Sequence, residues 1–463
     1  MILLAIAAAL ARPPAKVVAP PPMDTVVADL VKRGLEDRRA YDDLTVLAVE
    51  IGHRIAGSKG LEKAVAFGVE RMNAYHLDAV RAEPVTVTPW VRGEESAFLV
   101  APRAMALGAL GLGGTVATPP EGLEAEVIVV GSFEELAAKP RAEVEGKIVL
   151  YDVPFTTYGE TVRYRWGGAS AAARQGAVGA LVRSVTPVSL HSAHTGSMGY
   201  DDDVTKIPAL AVTVEDAIAL HRLATRGLHP RVRIRTSGAW APDAPSANVI
   251  GEIRGRERPN EIVVLGCHLD SWDVGQGAQD DGAGCVGVLG AAALIRELPV
   301  APRRTIRVVW YTNEENGLAG GKAYAAAHAA ERHVAALESD LGAGAPIGFH
   351  LDARTSAPDA PDVGDPYAAT EAKLAMLLPW LAPVGALTLA SGHAGADVGP
   401  LIDADTLGVG WRPDDSTYWP IHHTWADTID KVDPATLSKH VAAIAAMAYV
   451  LAELPEAPVG ASK

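Results

Sequence analysis

The chain has 463 residues, 49% hydrophobic and 21% charged, a size and composition that suit two or three globular domains with a large core. Its 41 Lys and Arg stand against 56 Asp and Glu, for a formal net charge of −15. That balance argues against a nucleic-acid partner, which needs a basic face, and against docking on anionic lipid.

The N-terminal "MILLAIAAALARPP" contains an apolar run from Ile2 to Leu10, and Ala9-Leu10-Ala11 resembles a small-x-small cleavage site. The basic region that usually precedes such a run is missing. Residues 1–22 are therefore expected as a signal or leader segment, with a frayed apolar tail as the alternative. The run is too short to span a bilayer, and no other stretch offers about 18 uninterrupted apolar residues, so no stable membrane insertion is expected. "VVADLVKRGL" and "KAVAFGVERMNAY" repeat apolar residues at three- and four-residue spacing and predict two helices, with a Gly-rich turn, "GHRIAGSKG", between them. "AEPVTVTPWV" alternates as a strand does. "GTVATPPEG", around Pro119-Pro120, predicts a boundary.

From 123 to 238 the runs "AEVIVVGS", "GKIVLYDV", "AVGALVRS" and "IPALAVT" predict short strands, interleaved with helical "ASAAARQGA" and "VEDAIALHRLA". This reads as a small inserted α/β domain. Its three consecutive acids, Asp201 to Asp203, read as a solvated loop. After 239, "EIVVLGCH", "TIRVVWYTN", "HVAALESD" and "PIGFHLDA" predict buried strands, the first of them separated by helical "GAGCVGVLGAAALIREL" and "GLAGGKAYAAAHAA". The fold class is α/β, with a mixed, mostly parallel sheet covered by helices on both faces. "PATLSKHVAAIAAMAYVLAEL" closes the chain as a long helix. Cys267 and Cys285 are the only cysteines. They make no disulfide framework and are expected as two small buried residues, a bridge between them being the lesser reading.

The chemistry concentrates where buried strands end. "GCHLDSWDVGQGAQDDGAG" places His268, Asp270, Asp280 and Asp281 directly after an apolar strand. Glu314 and Glu315 follow the next strand, Asp340 the one after, and His422 and His423 lie in a late loop. In open α/β sheets ligands bind beyond the carboxyl ends of the strands. So many carboxylates there repel one another unless cations compensate them. Imidazole with hard oxygen ligands suits zinc, and the set is too large for one tetrahedral ion but fits two ions about 3.5–4 Å apart sharing a carboxylate. The chain carries its own control, since His350-Leu351-Asp352 repeats "HLD" with no acidic cluster behind it and reads as ordinary strand-end polarity.

Together with "GSKGLEKA", "RGEESA", "LGLGGTVATPPEG", "GKIVLYDVPFTTYGETVRYR", "KIPALAVTVEDA", "NEENG", "LESD" and "HHTWADT", the stretch "HLDSWDVGQGAQDDGAG" resembles the carboxypeptidase Q (plasma glutamate carboxypeptidase) family of zinc aminopeptidase-like metallopeptidases, over nearly the whole chain. The resemblance implies a peptidase domain built from 23–122 and 239–463, with 123–238 as a protease-associated insert. It implies two zinc ions per chain, one on His268, Asp280 and Asp340, the other on Asp280, Glu315 and His423, with Asp280 bridging. His423 rather than His422 is implied because the family ligand directly precedes a small hydroxyl residue, here Thr424. Glu314 is implied as the general base and Asp270 as the residue that orients the His268 imidazole. A cis peptide between Asp280 and Asp281, a homodimer, and a secreted, periplasmic or lysosomal setting are implied too. Asn313 stands where the family often has Ala, which removes no ligand.

The resemblance implies dipeptides and short peptides with free termini as substrates. Tyr418, five residues before His423, either hydrogen-bonds the oxyanion or packs as an ordinary Tyr. The alternatives are a broader aminopeptidase of the same fold, a single-zinc acyl-transfer enzyme, and an inactive receptor-like binding module, the last opposed by the presence of all five ligands and Glu314.

Overall fold

A computed structural model describes residues 20–354 and 366–459. The expected leader lies outside the described residues through position 19.

The larger of two eight-stranded sheets runs in spatial order Asp78–Val87, Ala244–Ile253, Arg304–Tyr311, Arg258–His268, Arg332–Glu338, Leu407–Pro413, Pro346–Asp352, Thr388–Ser391. Its middle four strands, from Arg304–Tyr311 to Leu407–Pro413, are mutually parallel. The flanking strands Ala244–Ile253 and Pro346–Asp352 join them antiparallel. Side chains alternate between faces along a strand, and both faces are covered here. Val263, Leu265 and Cys267 point into a core shared with helices Met23–Glu36, Ala283–Arg296 and Pro434–Glu453. Ile262 and Val264 point into a smaller core with Tyr324 and Val398. That double burial explains why "EIVVLGCH" is a continuous apolar run rather than an alternating one. Each Leu, Ile or Val fully withdrawn from water contributes roughly 1.5–3 kcal/mol.

The C-terminal helix is long and apolar enough to cross a bilayer, yet it is buried inside this fold. Pro434 occupies its first turn, and the Asp433 carboxylate caps it by accepting the Thr436 N–H at 2.7 Å. It crosses Met23–Glu36 so closely that a Cβ on Gly34 would lie 2.7 Å from Ala442 Cα. Any larger residue at 34 would push the two helices apart.

The second sheet has the order Met105–Leu107, Glu95–Ala101, Arg231–Thr236, Leu123–Val130, Ile148–Tyr151, Gly179–Arg183, Ala209–Val212, Ala109–Gly111. The expected start of the insert at 123 is therefore corrected. Strand pairing takes the insert back to Glu95, because Glu95–Ala101 pairs with Arg231–Thr236. "GTVATPPEG" is a turn inside the insert, closed by the Gly122 N–H on the Pro119 carbonyl at 2.8 Å. The partner of 95–101 lies far along the chain, so no local pattern betrays the pairing. Trp90–Val91 pairs with Ala239–Trp240, so the entry to and exit from the insert run side by side. Asp201 and Asp203 reach Arg174 at the surface, at 2.9 and 2.5 Å.

The two cysteines are also corrected. Cys267 and Cys285 are buried, as expected, but bonded to each other, with Cα atoms 5.1 Å apart. The Cys267 side chain faces the helix that carries Cys285, and the bridge ties that helix to the strand ending in His268.

Candidate metal centre and its cleft

Parallel strands bring the site together. Arg258–His268 ends in His268, Arg304–Tyr311 runs into the turn holding Glu314 and Glu315, and Arg332–Glu338 leads to Asp340, all at one edge of the sheet. Leu407–Pro413 runs the same way and leads to the His422–His423 loop. Asp280 comes from the turn that opens helix Ala283–Arg296, and the Asp280–Asp281 peptide is cis, as the resemblance implies.

Asp280 lies between two groups. Its Oδ1 is 3.1 Å from His268 Nε2, which is also 3.2 Å from Asp340 Oδ1. Its Oδ2 is 3.2 Å from His423 Nε2, which is also 3.1 Å from Glu315 Oε2. The five expected ligands are thus brought together in the two expected sets. His422 Nε2 is farther from Asp280, at 3.8 Å, and its ring stacks on His423 with centroids 3.5 Å apart.

Burial works against a charged His268, but Asp340 and Asp280 outweigh it and lift the imidazole well above its usual range. Burial would raise Asp280, yet His268 and His423 draw it well below the carboxylate range. Burial, with Asp340 and Glu315 adding to it, pushes the Glu314 carboxyl well up. Asp280 Oδ2 and Glu315 Oε1 are buried without a hydrogen bond. Orphaned anionic oxygens facing imidazoles fit a dication, and the donor set of two His and three carboxylates fits zinc. A second acidic grouping, around Cys267 and Cys285 with Asp281, does not fit a metal, because the two sulfurs are bonded to each other. Asp281 instead accepts the N–H groups of His268 and Gly284, at 3.3 and 3.1 Å.

Asp270 is placed at the site, but its partner differs from expectation. His268 Nδ1 meets the Asp270 backbone carbonyl at 3.0 Å, while the nearer carboxylate oxygen is 4.0 Å away. That carboxylate accepts the N–H groups of Glu314 and Glu315, at 3.0 and 3.3 Å. It holds the turn of the two glutamates rather than the imidazole. The reason is positional: the side chain points across to the neighbouring parallel strand, while the carbonyl curls back onto the ring. Glu314 itself is half-buried and lines the cleft. Tyr418 also lines the cleft, and burial beside Asp280, Asp340 and Glu315 raises its hydroxyl well above its usual range.

Several supporting residues escaped the sequence reading. Asp427 accepts the N–H groups of Ala278, Gln279 and Asp280, at 3.1, 2.7 and 3.2 Å, and so fixes the turn carrying Asp280. Its signal was its place in "HHTWADT". Arg54, fully buried, donates to the carbonyls of Leu269, Gln276 and Gly277, at 2.7, 2.9 and 2.8 Å. It sits in "GHRIAGSKG", which read only as a turn.

The insert reaches the same centre. The Thr195 carbonyl is 3.2 Å from His423 Nδ1, and the Thr195 N–H donates to the His423 carbonyl at 3.1 Å. The Ser197 hydroxyl donates to the Glu315 carbonyl. Arg92, in "RGEESA", clasps Asp273 of "HLDSWD" at 2.8 Å and reaches Thr195 Oγ1 at 3.1 Å. The cleft encloses 630 Å³, with Tyr158, Trp166 and Met198 of the insert facing Glu314, Asp340 and Tyr418 of the larger domain.

Residues 248–448 match Peptidase family M28, and residues 106–220 match the PA domain. Carboxypeptidase Q of Xenopus laevis is 40% identical over 93% of this chain and 89% of its own length. Human carboxypeptidase Q is 37% identical over the same shares. The crystal structure of a peptidase M28 precursor from Shewanella amazonensis superposes with a TM-score of 0.85, at 34% identity, over 95% of this chain and 99% of that one. With that identity sustained along nearly the full length of both proteins, the chain belongs to peptidase family M28 and, within it, to the carboxypeptidase Q metallopeptidases.

Proposed function

We propose that this protein is a di-zinc exopeptidase acting on dipeptides and short peptides with free termini. The observation that carries the reading is Asp280, which offers Oδ1 toward His268 and Oδ2 toward His423 from one carboxylate. A shared carboxylate between two His/carboxylate sets is what a two-metal site needs. His268, Asp280 and Asp340 would hold one zinc, and Asp280, Glu315 and His423 the other. When bound, zinc supplies Lewis acidity and a water acidic enough to attack near neutral pH.

The remaining work belongs to the side chains. Glu314 accepts the proton of the attacking water and delivers it to the leaving amine nitrogen. Its raised affinity for a proton suits that shuttle. The Asp270 carboxylate fixes Glu314 and Glu315 through their N–H groups. The Tyr418 hydroxyl donates to the carbonyl oxygen as charge develops there. Thr195 and Arg54 hold His423 and the Asp280 loop in register. The walls from the insert narrow the cleft and favour short chains. The Cys267–Cys285 bridge is consistent with an oxidising, secreted or periplasmic setting. A homodimer belongs to the same reading.

Elemental analysis of the purified protein, combined with turnover of a dipeptide and of a long denatured protein, tests this. The expected result is two zinc ions per chain and rapid cleavage of the dipeptide alone. One zinc at full activity would remove the bridging role of Asp280. Equal turnover of both substrates would remove the short-peptide reading.

A further inference from the structure

The cleft is rich in negative charge at its floor, where Asp280, Glu314, Glu315 and Asp340 gather. A peptide with a free C-terminal carboxylate brings another anion into that space, so its entry needs a cation placed away from the floor. Among the described residues, two Lys or Arg side chains line the cleft, Arg165 and Lys322.

Arg165 is committed to the protein. It is buried, and its guanidinium donates to the Ser197 carbonyl at 3.2 Å, the Thr195 carbonyl at 3.4 Å and the Tyr158 hydroxyl at 2.9 Å. Lys322 is not. It is exposed, and the one hydrogen bond of its side chain among the described residues runs from Nζ to the Gly317 carbonyl at 2.9 Å. An ammonium has three donors, so two remain. No carboxylate pairs with it among the described residues, although the chain has an excess of acids.

A second, independent feature lies on the same turn. Asn316, immediately before Gly317, lines the cleft, and both its Nδ2 and its Oδ1 are buried with no hydrogen-bond partner. Buried amides are nearly always partnered, and one left open at a cleft wall is matched to a group that arrives there. The turn thus runs from the general base at Glu314 through the open carboxamide to an underused ammonium in the first turn of helix Ala319–Ala327.

We propose that Lys322, together with the Asn316 Nδ2 donor lining the same cleft, takes the free C-terminal carboxylate of the peptide substrate. The enzyme then reads the end of the peptide by charge and not only by the size of the cleft. This rests on the short-peptide reading above. Charge-assisted hydrogen bonds are about twice as strong as neutral ones, and a planar carboxylate can accept from an ammonium and an amide together.

The test compares kcat/KM for a dipeptide and for the same dipeptide with its C-terminus amidated, in the zinc-loaded enzyme. Wild type is expected to prefer the free acid. In Lys322→Met that preference ratio should fall by about 10–100-fold, the range for loss of a hydrogen bond to a charged group, mostly through KM. Lys322→Arg should restore part of it, and Asn316→Ala should lower it by a smaller factor. A Lys322→Met enzyme that keeps the wild-type ratio would overturn the proposal while leaving the short-peptide reading in place. Wild type that cleaves acid and amide equally would overturn that reading itself, and the proposal with it.

Discussion

The tripeptide His-Leu-Asp occurs twice at the end of a strand in the larger sheet, and the two copies have opposite fates. His268-Leu269-Asp270 closes Arg258–His268 at the edge where three further strands deliver Glu314, Glu315, Asp340 and His423. His350-Leu351-Asp352 closes Pro346–Asp352, which runs antiparallel to Leu407–Pro413, so Asp352 pairs with Gly408 near the start of that strand. The second copy therefore lies at the opposite edge of the sheet. Carboxylates raise the affinity of His268 for a proton against the effect of burial. Burial, with Arg412 and His393 adding to it, lowers that of His350. Asp270 holds two backbone N–H groups, while Asp352 pairs with Arg354 at 2.9 Å. Strand direction, not the tripeptide, places one copy among the candidate metal ligands.

The sharpest way to break this comparison is to remove each imidazole. His268→Ala should lose a zinc equivalent and more activity than the roughly 10–100-fold that the loss of an outer partner of a metal ligand costs. His350→Ala should keep its zinc and its turnover. Zinc per chain and kcat on one dipeptide decide it, and zinc loss in His350→Ala would show that the edge rule fails here.

Next in size is the pair that Asp270 holds. Glu314→Gln should keep both zincs and lose roughly 10²–10⁴-fold in kcat, the share of a positioned general base. Glu315→Gln should lose zinc instead. If the two results came out reversed, the roles of the adjacent glutamates would be exchanged.

The aspartates come third. Asp270→Asn keeps its size but weakens the clasp on the Glu314–Glu315 turn, and kcat should fall about 10–100-fold. Asp352→Asn removes only a half-exposed pair and should cost less than about 1 kcal/mol in stability, with activity unchanged. Urea midpoints and kcat on both variants check this.

The smallest effect is a pH dependence at the second copy. The folded state holds His350 below its ordinary value near 6.5, so the unfolded chain binds the proton more readily. The His350 contribution is therefore complete above about pH 6.5 and is lost as pH falls through its lowered folded value. His350→Gln should flatten the loss of stability between about pH 7 and about pH 5.5, read from urea midpoints. An unchanged slope would show that His350 does not titrate in this way.

The parts of the site legible in the sequence were those that lie close to an apolar run. His268, Glu314, Glu315 and Asp340 follow buried strands within a few residues, and Asp280 directly precedes the apolar helix Ala283–Arg296; the rule that sites sit at carboxyl ends of parallel strands gathers them. The insert was legible as a change in strand and helix length, but its first strands were not. Glu95–Ala101 pairs with Arg231–Thr236, a long-range neighbour that local periodicity does not encode. The actual partner of the Asp270 carboxylate was hidden for a related reason. Whether its carbonyl or its carboxylate meets His268 depends on the backbone path after the strand.

The sequence by itself determined the fold class, the chemistry of the donor set and the turn residues that let it assemble, because strand-length apolar runs and clustered charges are local properties of the chain. Only the tertiary structure decided which "HLD" faces the site, that Cys267 and Cys285 meet, and that the insert completes the centre through Thr195 and Ser197. Each of these depends on strand direction and on distances between segments remote in the chain, and such distances are set by the packing of two sheets, not by any single stretch of residues.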